Sequence, residues 1–131
     1  MATEPIEENP AADKSGFAKS VVVVNTGDGK GKSTSAFGVM IRGVARGWNV
    51  AVLQFIKSGE WNVGEEKIGE QLGVEWFNEG EGFTWDSDNI DHDKALAQRG
   101  WDRAAALIAA GEHELIILDE LTYLINWGWI E

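Results

Sequence analysis

Apolar residues along this chain follow two spacings in turn. The run Val21-Val22-Val23-Val24 is apolar on both faces, the form of a strand buried between layers, and predicts a first strand over residues 20–26. Residues 33–46 change to helical spacing, with Phe37, Met40, Ile41 and Val44 on one stripe and Gly47 as the stop. Residues 48–56 read as a second strand, 63–72 as a short acidic helix ended by Gly73, and 74–77 as a third, shorter strand. A Gly-rich loop follows over 78–86 and carries Phe83 and Trp85. Residues 91–110 predict a long helix, its stripe marked by Leu96, Ala104, Leu107 and Ile108 and its end by Gly111. A fourth strand over 115–118 runs into Asp119-Glu120, and 121–127 is helical or turn-like.

Strands alternating with helices imply a parallel sheet joined by right-handed crossovers. Ligands bind such sheets at the carboxyl ends of the strands. Three polar or glycine-rich segments fall on that edge: 26–34 after the first strand, Phe83-Thr84-Trp85 after the third, and Asp119-Glu120 after the fourth.

The first of these, Thr26-Gly27-Asp28-Gly29-Lys30-Gly31-Lys32-Ser33-Thr34, has the layout of a phosphate-binding P-loop. Glycines let the backbone fold around a phosphate and aim several N–H groups inward. The following helix adds its positive end. Lys32 supplies a point charge, and the Ser33 hydroxyl can reach a Mg²⁺. The spacing departs from G-x-x-x-x-G-K-[ST]: counting back from Gly31, the first glycine position falls on Thr26, so the loop is one residue short and holds a second lysine, Lys30. The bland alternative is a glycine-rich turn with two solvated lysines. The expected fold is therefore α/β, a P-loop NTPase-like, mostly parallel sheet with flanking helices in three α/β/α layers.

Leu115-Ile116-Ile117-Leu118-Asp119-Glu120 has the form of a Walker B strand, which delivers carboxylates to a Mg²⁺ opposite the P-loop hydroxyl. A strand ending in a solvated acidic turn is the alternative. No residue stands out as an activated nucleophile or arginine finger, which fits a triphosphate used as a leaving group.

Composition narrows the partners. The 131 residues suit one domain, with 1–19 as an acidic mobile tail (Glu4, Glu7, Glu8) and 20–131 as the nucleotide-binding unit. The absence of cysteine removes disulfides and Cys-ligated metals, and two histidines, His92 and His113, are too few for a His-rich site. A net charge of −11 argues against nucleic acid as partner and makes Lys30, Lys32 and Arg42 stand out. No apolar run reaches the length of a membrane span, and no signal peptide is evident, so a cytoplasmic location is expected. Seven tryptophans leave two readings open, a large flat ligand or ordinary packing and a subunit interface.

The P-loop block with Ala36-Phe37-Gly38, then Gln54-Phe55-Ile56-Lys57, Gly82-Phe83-Thr84-Trp85 and Leu118-Asp119-Glu120-Leu121-Thr122-Tyr123, resembles in order the blocks of the ATP:corrinoid adenosyltransferases of the cobalamin pathway. The resemblance implies that the Co(I) of a reduced corrinoid attacks the ribose 5′ carbon of ATP and that triphosphate leaves. It implies that Thr26, Gly27, Asp28, Gly29, Lys30, Gly31, Lys32, Ser33 and Thr34 hold ATP. Ser33, Asp119 and Glu120 would hold Mg²⁺. Lys32, Phe83 and Trp85 would serve catalysis, the two aromatics pressing on the corrin's lower face and excluding its axial ligand.

Cobyrinic acid a,c-diamide, cobinamide and cobalamin remain open as the corrinoid. A flavin-dependent reductase or flavodoxin would supply the electron, and a homodimer is implied. Two departures accompany the resemblance. Ser33 stands where the family typically has Thr. The chain stops at Trp127-Gly128-Trp129-Ile130-Glu131, where family members continue with further helix and strand, so a C-terminally truncated fragment is expected. A different P-loop ATPase or kinase releasing ADP, and a non-catalytic nucleotide- or corrinoid-binding module, are the competing readings.

Overall fold

The structure is a computed structural model that describes residues 16, 18–56, 64–80 and 89–131. Its elements are α1 (Lys32–Ala45), β1 (Val50–Gln54), α2 (Gly64–Gln71), β2 (Glu75–Asn78), α3 (Ile90–Ala110), β3 (Leu115–Asp119) and α4 (Leu121–Asn126). Each follows a segment whose period predicts it, with ends shifted by a residue or two. The strands form one sheet in the order β2-β1-β3, and both pairings are parallel.

Strand β1 is central because it can be buried on both faces: all five residues of Val-Ala-Val-Leu-Gln are buried. Its alternate residues feed two cores. Val50 and Val52 pack with Phe37 and Met40 of α1 and with Ile117 of β3. Leu53 and Phe55 pack with Ala97 and Ala104 of α3, Leu124 of α4 and Ile130. Each fully buried Val or Leu here contributes about 1.5–3 kcal/mol relative to exposure.

Helix α2 shares the α1 face, since Gly69 lies against the Trp76 ring and Asn78 Nδ2 donates to Glu66 Oε1 at 2.6 Å. The result is α1 and α2, the sheet, then α3 and α4: three layers in the α/β class. The two faces follow from the strand order. Moving from β1 to β2 through α2, and back across β1 to β3 through α3, reverses direction, so a constant right-handed crossover puts the two helices on opposite faces.

Close approach of α3 uses small residues. A Cβ at Gly100 would lie 2.7 Å from Glu79 Cβ and 3.1 Å from the Phe55 ring. The buried stripe is Ala97, Gly100 and Ala104, with Leu107 half-buried against the same core, as the period expects of Ala104 and Leu107; Ile108 is 53% exposed. On α1, Ile41 likewise faces solvent, and Gly43 takes the buried place beside Trp48 and Leu115.

The expected strand over 20–26 is not formed. Residues 20–26 have no regular structure, and Val21, Val22, Val23 and Val24 are 70%, 91%, 76% and 67% exposed. An apolar run is held as a strand only by a ladder on its edge and by layers over its faces. Among the described residues the sheet ends at β3, and the helices cover β1 first. Hydropathy reports that the segment favours burial; it does not supply the neighbour that buries it.

Candidate functional site

The carboxyl ends of the three strands lie side by side. Gln54 ends β1 and is in register with Asn78 of β2 on one side and Asp119 of β3 on the other. The ladder continues one step past each strand end, with Glu79 N donating to Gln54 O at 2.8 Å and Phe55 N to Asp119 O at 3.1 Å. This edge is therefore pinned by backbone hydrogen bonds where the candidate side chains leave it.

The N-terminus of α1 is tied to the same edge. Ser33 Oγ donates to Asp119 Oδ1 at 2.7 Å, bridging the glycine-rich loop and the end of β3. Gly27, Gly29 and Gly31 have φ of 126°, 85° and 115°, a region that residues with a Cβ rarely adopt. Asp28 and Lys30 between them have no positive φ, so the sign of φ alternates along the loop. Alternation of that kind turns successive N–H groups toward one side, where an anion can sit. Helix α1 has no side-chain cap and no acidic residue in its first turn, which leaves its positive end open to an anion. Lys32 Nζ donates to the carbonyls of Gly27 at 2.7 Å and Gly29 at 2.6 Å, so the loop closes around its own ammonium.

Glu120 follows Asp119 in a left-handed conformation, φ 63°, the one non-glycine residue with positive φ among those described. Such a conformation costs about 1–2 kcal/mol. Burial pushes the Glu120 carboxyl above its ordinary range, the neighbouring Asp119 charge adds to this, and the Lys32 ammonium opposes it. Glu120 keeps water contact, so solvent screens these effects.

With this geometry in hand, the chain can be set beside known proteins. The ATP:corrinoid adenosyltransferase BtuR/CobO/CobP family matches residues 18–131. The chain belongs to this family. It is 40% identical over 112 residues to the corrinoid adenosyltransferase of Escherichia coli (strain K12), a match covering 86% of this chain and 57% of that protein. It is 39% identical over 112 residues to the corrinoid adenosyltransferase CobA of Salmonella typhimurium, covering 86% and 57%. With the corrinoid adenosyltransferase of Pseudomonas aeruginosa it shares 40% identity over 115 residues, covering 86% and 56%. The chain thus spans a little over half the length of these curated relatives.

Of the residues the sequence singles out in this family member, 26–34 form the loop and the first turn of α1, and Ser33, Lys32, Asp119 and Glu120 come together beside it. Asp28 and Lys30 are exposed on the loop. Phe83, Trp85 and Lys57 lie outside the described residues, as does most of the segment 1–19. No helix among the described residues is long and apolar enough to cross a membrane. Two side chains to which the sequence reading gives no site role join the candidate residues: Trp76 and Gln54, the latter the first residue of the block Gln54-Phe55-Ile56-Lys57. Trp76 Nε1 donates to Gln54 Oε1 at 3.1 Å, and Gln54 Nε2 donates to Asp119 Oδ2 at 3.4 Å. The available signal was a lone glutamine closing an otherwise apolar buried strand.

Proposed function

We propose that this protein transfers the 5′-deoxyadenosyl group of ATP to the Co(I) of a reduced corrinoid. The cobalt lone pair forms a bond to the ribose 5′ carbon, the carbon–oxygen bond breaks, and its electron pair leaves with inorganic triphosphate. The observation that carries this reading is the 2.7 Å bond from Ser33 to Asp119, which brings a P-loop and a Walker B carboxylate to one strand edge in a chain of this family.

The geometry supports the following roles. Residues Gly27 to Thr34, with Thr26 ahead of them, cradle the triphosphate through N–H groups and the open end of α1. Lys32 exchanges its two carbonyl partners for phosphate oxygens, so binding reorganises the loop rather than merely filling it. Because the corrinoid is itself the nucleophile, the protein needs no activated side chain. It contributes position and charge neutralisation.

The residues fit a Mg²⁺ that arrives with the nucleotide. Ser33, Asp119 and Glu120 offer hard oxygen donors at one place. These three residues would hold the ion, with phosphate oxygens of the nucleotide as its further donors. When bound, the ion neutralises charge on the departing triphosphate. Phe83 and Trp85 are assigned the corrin's lower face by family resemblance. Residues 20–131 act as one nucleotide-binding unit with 1–19 as its tail, in a homodimer supplied with electrons by a flavin-dependent reductase or flavodoxin.

The test mixes the protein with ATP, Mg²⁺ and chemically reduced cobalamin or cobinamide. The visible spectrum reports the Co–C product while triphosphate is assayed. Product with stoichiometric triphosphate is expected. Release of ADP with an unchanged spectrum overturns the proposal in favour of another P-loop enzyme. Binding without either product marks a non-catalytic module.

A further inference from the structure

Gln54 is an outlier in its strand. Strand β1 is otherwise Val-Ala-Val-Leu, and Gln54 is 5% exposed, so its amide must be satisfied inside the protein. It has two partners, one on each neighbouring strand: Trp76 Nε1 at 3.1 Å and Asp119 Oδ2 at 3.4 Å. All three side chains lie on the α1 face of the sheet, at its carboxyl edge.

Chemistry fixes the direction of this chain. An indole N–H only donates, so the amide oxygen of Gln54 must face Trp76. The amide nitrogen then faces Asp119 and can only donate to it. The Asp119 carboxylate only accepts and selects the same direction, so tryptophan and carboxylate hold the amide from both ends. Trp76 is in turn held by the Phe37 ring, with centroids 5.4 Å apart, and by Gly69 of α2. Asp119 therefore receives a neutral donor on each oxygen, Ser33 on Oδ1 and Gln54 on Oδ2. Its carboxylate plane is set from two elements, α1 and β1.

We infer that Gln54, oriented by Trp76, is a positioning residue that fixes the rotamer of Asp119 for the metal-bound nucleotide. This rests on the reading of Asp119 as part of the Mg²⁺ site. Gln54 touches neither metal nor phosphate in the proposal; it acts through Asp119.

The test is ATP binding by calorimetry, without corrinoid, in the presence and absence of Mg²⁺. The quantity read is the gain in affinity that Mg²⁺ confers. Gln54→Met keeps the side-chain volume and removes the donor, and is expected to cut that gain about ten-fold while leaving Mg²⁺-free ATP binding within about two-fold. Gln54→Glu sets a second carboxylate against Asp119 and should cut it at least as far. Trp76→Phe removes one of the two groups that hold the amide and should cut it less than Gln54→Met does. In the ATP complex of the unaltered protein, the indole N–H resonance of Trp76, assigned by its loss in Trp76→Phe, is expected to shift when Mg²⁺ is added.

A purely structural role predicts lower melting temperatures with the Mg²⁺ gain intact, and that result overturns the inference. An unmoved Trp76 resonance overturns it even if the Gln54 variants do not fold. Failure of the underlying reading looks different: the unaltered protein would then show no Mg²⁺ gain at all.

Discussion

Ser33 and Asp119 are 86 positions apart in the chain and share a hydrogen bond of 2.7 Å. That bond joins the glycine-rich loop to the sheet, so removing the hydroxyl has two effects: the loop loses its tether and Asp119 loses a donor. Ser33→Ala is expected to weaken Mg²⁺-dependent ATP binding by ten-fold or more, about 1.4 kcal/mol. Ser33→Thr restores the hydroxyl and should stay within about three-fold of the parent, since a single hydroxyl bond to a charged group is worth about 1.5–3 kcal/mol. Calorimetric titration of the two variants checks this, and equal losses in both would refute a hydroxyl-specific role.

The raised Glu120 carboxyl makes stability depend on pH. In the folded chain this group holds its proton to a higher pH than in the unfolded chain, so between the ordinary carboxylate range and the raised one the fold binds more protons. Its contribution is complete below the ordinary range and is lost as pH rises through the raised value. Glu120→Gln should therefore melt at a higher temperature than the parent at neutral pH, with the difference vanishing in acid. The same variant should bind Mg²⁺ and ATP more weakly. Thermal melts at about pH 4 and about pH 7.5 decide the sign.

Gly69 sets helix propensity against packing. Alanine in place of glycine inside a helix is favoured by about 1 kcal/mol. A Cβ at Gly69, however, would lie 2.7 and 2.9 Å from two atoms of the Trp76 ring. The ring is a rigid body held by Phe37 and Gln54 and cannot swing aside as a flexible chain end would. Overpacking costs about 1–3 kcal/mol, so it wins, and Gly69→Ala should lower the melting temperature by a few degrees. A rise in melting temperature would show that the ring yields.

Glu79 and Arg103 form an unequal ion pair. Arg103 Nε lies 3.2 Å from Glu79 Oε1, with the arginine side chain 45% exposed and the glutamate 8%. The guanidinium also covers the Phe77 ring at 4.8 Å. Arg103→Ala strands a nearly buried carboxylate. A fully buried pair would lose about 3–5 kcal/mol, but water reaches the arginine side, and about 1–2 kcal/mol is expected. Adding Glu79→Gln to Arg103→Ala should recover part of the loss, which a double-mutant cycle by urea unfolding would read as coupling.

Much of the fold was legible because it rests on local period. Phe37 and Met40, the Val50–Leu53 run and the Leu115–Leu118 run report their own burial. Stripes built from small residues were not legible: Ala97 and Gly100 carry little hydropathic signal, yet they let α3 approach Glu79 and Phe55. The run 20–26 shows the opposite failure, a strong signal without a covering layer. At the candidate site, the glycine-rich turn and the place of Asp119-Glu120 at the end of β3 were legible because backbone conformation and charge demand particular residue types. The Trp76–Gln54–Asp119 chain was not, since it depends on the order in which three strands lie side by side, which no local window contains.

The four exposed valines give the molecule a colloidal liability. A flat, uncharged, β-branched stretch is the kind of segment that adds to the rim of another chain's sheet, and β3 ends the sheet among the described residues. Concentrated solutions should therefore scatter light increasingly with time, with growth beginning at residues 21–24 and not at the glycine-rich loop beside them. A single gatekeeping charge, Val22→Lys at the most exposed of the four, should suppress that scattering and leave ATP binding in place.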